Sequence, residues 1–213
     1  MTGGTAGAAG AGLVLVVNAG SSSGRSVDTT MGFTPLEGLV MATRSGSVDP
    51  GLLVWLLQHG GVTIAELADK LEHASGLAGL ASLPTGSGDL RDIRQAAAAG
   101  DPHARTAIDV HTHRLRREIA AMAAALDGLD ALVFTGGIGE HQPETRAEAA
   151  AGLGFLGVAV DQPRNSAVCG GEDADISAPS AKVRTLVVAT REDLEIARQV
   201  RAALDGADPA ALC

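Results

Sequence analysis

Twice in this chain a short hydrophobic strand pattern runs straight into a turn of small residues, and that pairing limits the fold more than any other feature. Leu13-Val-Leu-Val-Val17 is β-branched, bounded by Gly12, and leads into Asn18-Ala-Gly-Ser-Ser-Ser23. Ala131-Leu-Val-Phe-Thr135 leads at once into Gly136-Gly-Ile-Gly-Glu140. Both runs are unbroken rather than alternating, which marks strands buried on both faces. Helical patterns fill the space between them, so an α/β layer architecture follows.

The helix signals are explicit. Asp49-Pro50 pairs an N-cap with proline at the first helical position, Leu52, Leu53, Leu56 and Leu57 give one face, and Gly60 closes it. Thr63-Ile-Ala-Glu66 is a capping box that opens a helix through Leu67 and Leu71, expected to stop at Gly76. Asp89 to Ala99 reads as a further helix ended by Gly100. After Asp101-Pro102, Ile108, Leu115, Ile119, Met122 and Leu126 form a stripe over several turns. Glu144 to Leu153 and Glu192 to Leu204 are predicted helices, and Lys182 to Ala189 a strand. Residues 26–47 show no periodicity and are predicted to form a long ordered loop, a length often functional in compact domains.

The turns carry the chemistry. Backbone N–H groups in a Gly/Ser-rich turn have no side chain in the way, so phosphate oxygens can approach closely. Asn18 to Ser23 adds hydroxyls suited to phosphate or to waters around Mg²⁺; by itself such a segment is more often a plain polar turn. Neither turn is a dinucleotide fingerprint or a lysine-bearing phosphate loop. Arg44, among small residues in the long loop, can reach a transferring phosphoryl group and spread its charge, although a lone loop arginine is more often a solvated surface charge. Asp89-Leu-Arg-Asp92 alone would be a helix cap with local ion pairs. His111 and His113 stand two apart on a helix, hence on different faces, and do not share a metal.

Composition excludes other classes. Aromatic residues are 2% of the chain, so the core is built from Ala, Val, Leu and Ile, and base-stacking platforms are lacking. A net charge of −9 without a basic stripe disfavours nucleic acid and anionic membranes. The two cysteines, Cys169 and Cys213, have no metal-ligand spacing. Leu13–Val17 is too short for a signal-peptide core or a membrane span. The expectation is a soluble cytoplasmic protein.

Read together, these segments resemble the acetate kinase family. Val14-Leu-Val-Val-Asn-Ala-Gly-Ser-Ser-Ser23 is similar to its opening strand and phosphate turn. Asp28-Thr-Thr-Met-Gly-Phe-Thr-Pro-Leu-Glu-Gly-Leu-Val-Met-Ala-Thr-Arg-Ser-Gly46 is similar to its most distinctive internal signature. Asp89 to Asp92, Phe134 to Glu140 and Thr190 to Arg198 match three further segments in the right order. The resemblance implies an RNase H-like, actin-like ATPase fold and reversible phosphoryl transfer between ATP and acetate, giving acetyl phosphate and ADP. It also implies Mg²⁺ and a homodimer. By matched position, Asn18 and Glu192 would be metal-associated and Arg44 would steady the phosphoryl group. Asp89, Leu90, Arg91, Gly137, Ile138, Gly139, Glu140 and His141 would border the nucleotide, His141 standing where the family usually has Asn.

The departures are as informative. Ser23 joins Gly24-Arg-Ser-Val-Asp28, which belongs much later in the family's pattern. The block between would carry the family's catalytic histidine, a substrate-side arginine and an aspartate. Residues 1–12, rich in Gly and Ala, read as a flexible lead-in, and the resemblance implies one nucleotide-binding domain over 13–213. Within it, 13–23 would correspond to the family's N-terminal strand and turn, and 24–213 to its C-terminal domain. In-line transfer needs charge neutralisation from both sides of a closed cleft. Two alternatives to an active kinase thus stand: a non-catalytic nucleotide-binding or dimerising remnant, and the product of a deletion or incomplete gene model.

Overall fold

The structure, a computed structural model, describes residues 14–17, 27–191, 197, 198, 200, 201 and 204. The expected lead-in, most of the first small-residue turn and most of the last predicted helix lie outside the described residues. Where one domain was expected over 13–213, internal contacts divide the chain into two compact units. Ser26–Ala125 forms one, and the described residues on either side form the other.

The first unit is helical: α1 (Pro50–His59), α2 (Ile64–His73), α3 (Gly76–Ala81), α4 (Leu90–Ala98) and α5 (Pro102–Ala125). Sequence signals and caps coincide. The Asp49 carboxylate accepts from Gly51 N–H, and both halves of the Thr63/Glu66 capping box are made. Each such cap contributes about 1 kcal/mol to a helix start. On α5 the buried residues Ala104, Ala107, Ile108, His111, Thr112, Leu115, Ile119 and Ala123 follow the i, i+3, i+4 spacing of one helix face. Of these, Ala104, Ala107 and Ile108 seat the helix on a core shared with Val40, Leu77, Ala81, Leu90 and Ile93. Each large aliphatic side chain so buried contributes about 1.5–3 kcal/mol. One expectation is corrected. Gly76 does not stop α2, which ends at His73; it opens α3. The leucine face read for α1 forms, but the helix buries none of its residues and leaves Leu52, Val54, Trp55 and Leu57 exposed.

The second unit contains β1 (Val14–Val17), β2 (Ala131–Phe134), α6 (Gly136–His141), α7 (Pro143–Ala151), α8 (Gln162–Ala167), β3 (Ala174–Asp175) and β4 (Arg184–Val187). A 3-10 turn at Gly154–Leu156 follows α7. Strand order is β1-β2-β4-β3. β1 pairs in parallel with β2 (Val14 opposite Ala131), and β2 in parallel with β4 (Ala131 opposite Arg184); β3 is antiparallel to β4. All four residues of β2 are buried, as its unbroken apolar run requires for a strand flanked on both sides. Among the described residues no helix is long and apolar enough to cross a membrane.

Candidate functional site

Arg44 is exposed, but the backbone that carries it is fixed. Residues 41–45 run past the end of α2 and the start of α3. Thr43 O accepts from Ser75 N–H at 2.9 Å, Met41 O from Leu77 N–H at 2.8 Å and Ala42 O from Ala78 N–H at 2.9 Å. Ser45 N–H donates to Leu71 O at 3.0 Å, and Thr43 Oγ1 donates to Glu72 O at 2.9 Å. The first N–H groups of a helix have no partner within it, so the loop's carbonyls satisfy α3 while α3 fixes the loop. Two glycines make this approach possible. A Cβ on Gly76 would lie 2.4 Å from Met41 O and 2.8 Å from Arg44 O, and its φ of +65° is one that L side chains avoid. A Cβ on Gly88 would lie 2.3 Å from Ala42 O. The guanidinium itself donates only a weak contact to Met41 Sδ at 3.9 Å and makes no ion pair among the described residues.

Gly88 precedes Asp89, so this close approach also sets the start of α4 beside the Arg44 loop. Asp89 caps α4 through Arg91 N–H at 2.8 Å and holds the Arg91 side chain through Nε at 3.0 Å. The Arg91 side chain and backbone N–H bring its carboxyl down to about 2. Leu90 points into the core, 4% exposed, so only its backbone is available to a ligand there. A cavity of ≈470 Å³ in the same unit is lined by Ser45, Asp49 and Arg114 among others; Arg44 and Asp89 are not in its walls.

In the other unit the glycine turn is the first turn of α6. It presents Gly137, with open space where a Cβ would be, and Ile138, 42% exposed. Gly139 packs on β2, its absent Cβ 3.1 Å from the Phe134 carbonyl carbon. His141 Nδ1 lies 3.1 Å from Gly137 O, and Gly170 passes so close that a Cβ there would overlap the imidazole. Glu140 turns inward, 5% exposed. Its Oε1 accepts from Gly136 N–H at 2.9 Å, Thr190 N–H at 2.9 Å and Thr190 Oγ1 at 3.0 Å. Burial pushes this carboxyl up, but the hydrogen bonds from Thr190 and Gly136 outweigh it, and its pKa lies below the ordinary value.

Arg146 on α7 is wholly buried. Nε donates to Asn165 Oδ1 at 2.7 Å, one terminal nitrogen to Gly139 O and Glu140 O at 2.8 Å each, and the other to Asn165 O at 2.8 Å and Val168 O at 2.9 Å. Every guanidinium donor is used. The acceptors are carbonyls at the C-terminal ends of α6 and α8, where the helix dipole favours a cation. Burial lowers this guanidinium's pKa, with Cys169 and Glu144 acting the other way. Asn165 Nδ2 donates in turn to Pro143 O at 2.8 Å, so the group closes on itself.

Asn18 and Glu192, the expected metal-associated pair, lie outside the described residues. One amide oxygen and one carboxylate are hard donors of the kind Mg²⁺ takes together with waters and phosphate oxygens. Among the described residues no three His, Cys, Asp or Glu side chains cluster to hold a metal ion. The structure thus brings Arg44 and Asp89–Arg91 together in one unit and Gly137–His141 together in the other. Sequence reasoning missed Arg146, Asn165 and Thr190. Arg146 sits in Glu144-Thr-Arg-Ala-Glu148, which reads as a solvated helix face.

The description "Acetokinase family" belongs to the family profile that matches residues 14–198. Acetate kinase of Leifsonia xyli is 50% identical over 192 residues, covering 88% of this chain and 47% of that protein. Acetate kinase of Gloeobacter violaceus is 50% identical over 176 residues, 83% of this chain and 42% of that protein. The crystal structure of Porphyromonas gingivalis acetate kinase superposes with a TM-score of 0.75 at 38% identity, covering 82% of this chain and 43% of that one. A propionate kinase from Francisella tularensis gives 0.72 at 38%, over 79% and 42%. These neighbours have the actin-like ATPase fold, and the mixed α/β architecture here is of that class. The chain spans about half the length of the curated relatives it matches. With its profile match running across most of its length, the chain belongs to the acetokinase family.

Proposed function

We propose that this chain is a phosphotransferase of the acetate kinase type, passing the γ-phosphoryl group of ATP reversibly to a carboxylate oxygen of acetate. The bond from phosphorus to the ADP bridging oxygen breaks as the bond to acetate forms, giving acetyl phosphate and ADP. The observation that carries this reading is the fixed loop of Arg44. An exposed guanidinium without a carboxylate partner among the described residues, on a backbone tied to two helices, is prepared to neutralise charge on a phosphoryl group without reorganising. Asp89, Leu90 and Arg91 border the nucleotide on the same unit, and Gly137 to His141 offer a second nucleotide face. Asn18 and Glu192 would hold Mg²⁺, which would offset phosphate charge when bound. In this reading 13–23 stands for the family's N-terminal strand and turn and 24–213 for its C-terminal domain. The same reading includes a cytoplasmic homodimer, which the uncharged, exposed face of α1 supports.

A second reading, a nucleotide-binding or dimerising remnant without turnover, is favoured by the chain's coverage of under half of its relatives. Phosphoryl transfer from acetyl phosphate to ADP with Mg²⁺ separates the two. Turnover that is lost in Arg44→Ala supports the kinase. A folded chain that binds ADP without turnover supports the remnant.

A further inference from the structure

α6 is six residues long, too short to persist on its own, and yet it presents the glycine surface assigned above to the nucleotide. Its N-terminal end is held by a side chain from its own last turn. Glu140 reaches back to Gly136 N–H with the same oxygen that takes both donors of Thr190, 50 positions further along the chain. Thr190 stands three residues beyond the end of β4 and two residues before Glu192. One buried carboxylate oxygen therefore ties the glycine turn to the chain entering the segment expected to carry a metal-associated group. At the other end of α6, Arg146 takes the carbonyls of Gly139 and Glu140 itself.

We propose that Glu140 is a positioning residue: a buried clasp that fixes the glycine turn of α6 to Thr190, with Arg146 holding the same helix from its C-terminal end. This rests on the nucleotide reading above, but gives Glu140 a different task from touching nucleotide. Its Oε1 is committed to three protein donors, so its effect on a ligand passes through Gly137, Ile138 and the Thr190 segment. Gln at 140 keeps an acceptor oxygen in place and removes the charge. Ala removes the acceptor and leaves three donors without it.

The test uses the full chain with two readouts, amide hydrogen exchange and calorimetric titration with Mg·ADP. Glu140→Ala is expected to speed exchange at Gly136 and Thr190 by about tenfold or more while Leu132 and Val133 in β2 stay protected. It is expected to weaken Mg·ADP by about tenfold, and Glu140→Gln to restore most of both. Unchanged exchange at Gly136 and Thr190 overturns the clasp. Faster exchange with unchanged Mg·ADP affinity overturns the positioning role and leaves a structural one. Wild-type chain that binds no Mg·ADP overturns the nucleotide reading itself, and the positioning role with it, while the exchange result still decides the clasp. Should Glu140→Ala fail to fold, Thr190→Val removes only the hydroxyl donor and carries the same comparison, with a smaller shift in the same direction.

Discussion

The Arg44 loop and the α6 turn solve one problem by opposite means. Each must hold a short, exposed, chemically useful stretch still. The Arg44 loop is held by neutral backbone: carbonyls of residues 41–43 docked on the N–H groups of α3, with Gly76 and Gly88 letting the chains touch. The α6 turn is held by two buried ionic groups, Glu140 at one end and Arg146 at the other. Neutral docking depends on shape and is indifferent to pH. Ionic docking tolerates small shifts of shape but fails when a charge or its partner is removed, because the partners are then buried without bonds.

The largest effect should come from Arg146→Ala, which strips five carbonyl and amide acceptors of their donor at a fully buried position. A loss of about 3–5 kcal/mol in denaturant unfolding is expected, with Arg146→Lys recovering only part. A loss below about 1 kcal/mol would show that the α6 turn does not depend on its ionic anchor. Next, Gly76→Ala and Gly88→Ala should each cost about 1–3 kcal/mol by forcing backbone atoms apart, Gly76 more because its φ is also unfavourable. Exchange at Leu77 and Ala78 should quicken in these variants while Gly136 stays unchanged. Coupled loss at both places would show that the two devices are not independent.

Acid sharpens the comparison further. Asp89 has its carboxyl held at about 2 in the fold against 3.8 ordinarily, so its contribution is complete above 3.8 and lost as pH falls toward 2. Glu140 lies below its ordinary 4.5, and its contribution likewise disappears as pH falls through the acid range. Acid titration of exchange rates should therefore loosen Gly136, Thr190 and the start of α4, and spare the hydrogen bonds of 41–43 to α3. Asp89→Ala should lose about 1 kcal/mol as a missing N-cap and abolish its share of that dependence. The smallest effect is expected at Thr185 in β4, wholly buried, whose Oγ1 has no partner among the described residues. Thr185→Val should be neutral or stabilising by up to about 1 kcal/mol in thermal unfolding.

What the sequence made legible was local. Caps at Asp49, Thr63, Asp89 and Asp101 are contiguous signals, and each opens a helix where expected. The two strand patterns became β1 and β2 for the same reason. α3 was missed because Gly76 and Gly79 read as breakers, while the need for Gly76 comes from Met41, far away in sequence. Arg146 was missed because its partners come from α6 and α8, and a helical arginine among Ala and Glu looks solvated. At Glu140 the family resemblance singled out the residue as a nucleotide neighbour, but its bond to Thr190 is a fact of tertiary structure alone. The apolar face of α1 was legible as a pattern; what the pattern could not say is that Ser26–Ala125 leaves it uncovered.

That helix also equips the protein with a built-in optical probe. Trp55 is the only tryptophan, tyrosine is absent altogether, and the indole is 53% exposed, stacked on His59 at 5.5 Å. Emission excited in the near ultraviolet therefore comes from one spot on α1. Anything that covers this face should shift that emission to the blue and shield it from soluble quenchers, without labelling or mutation.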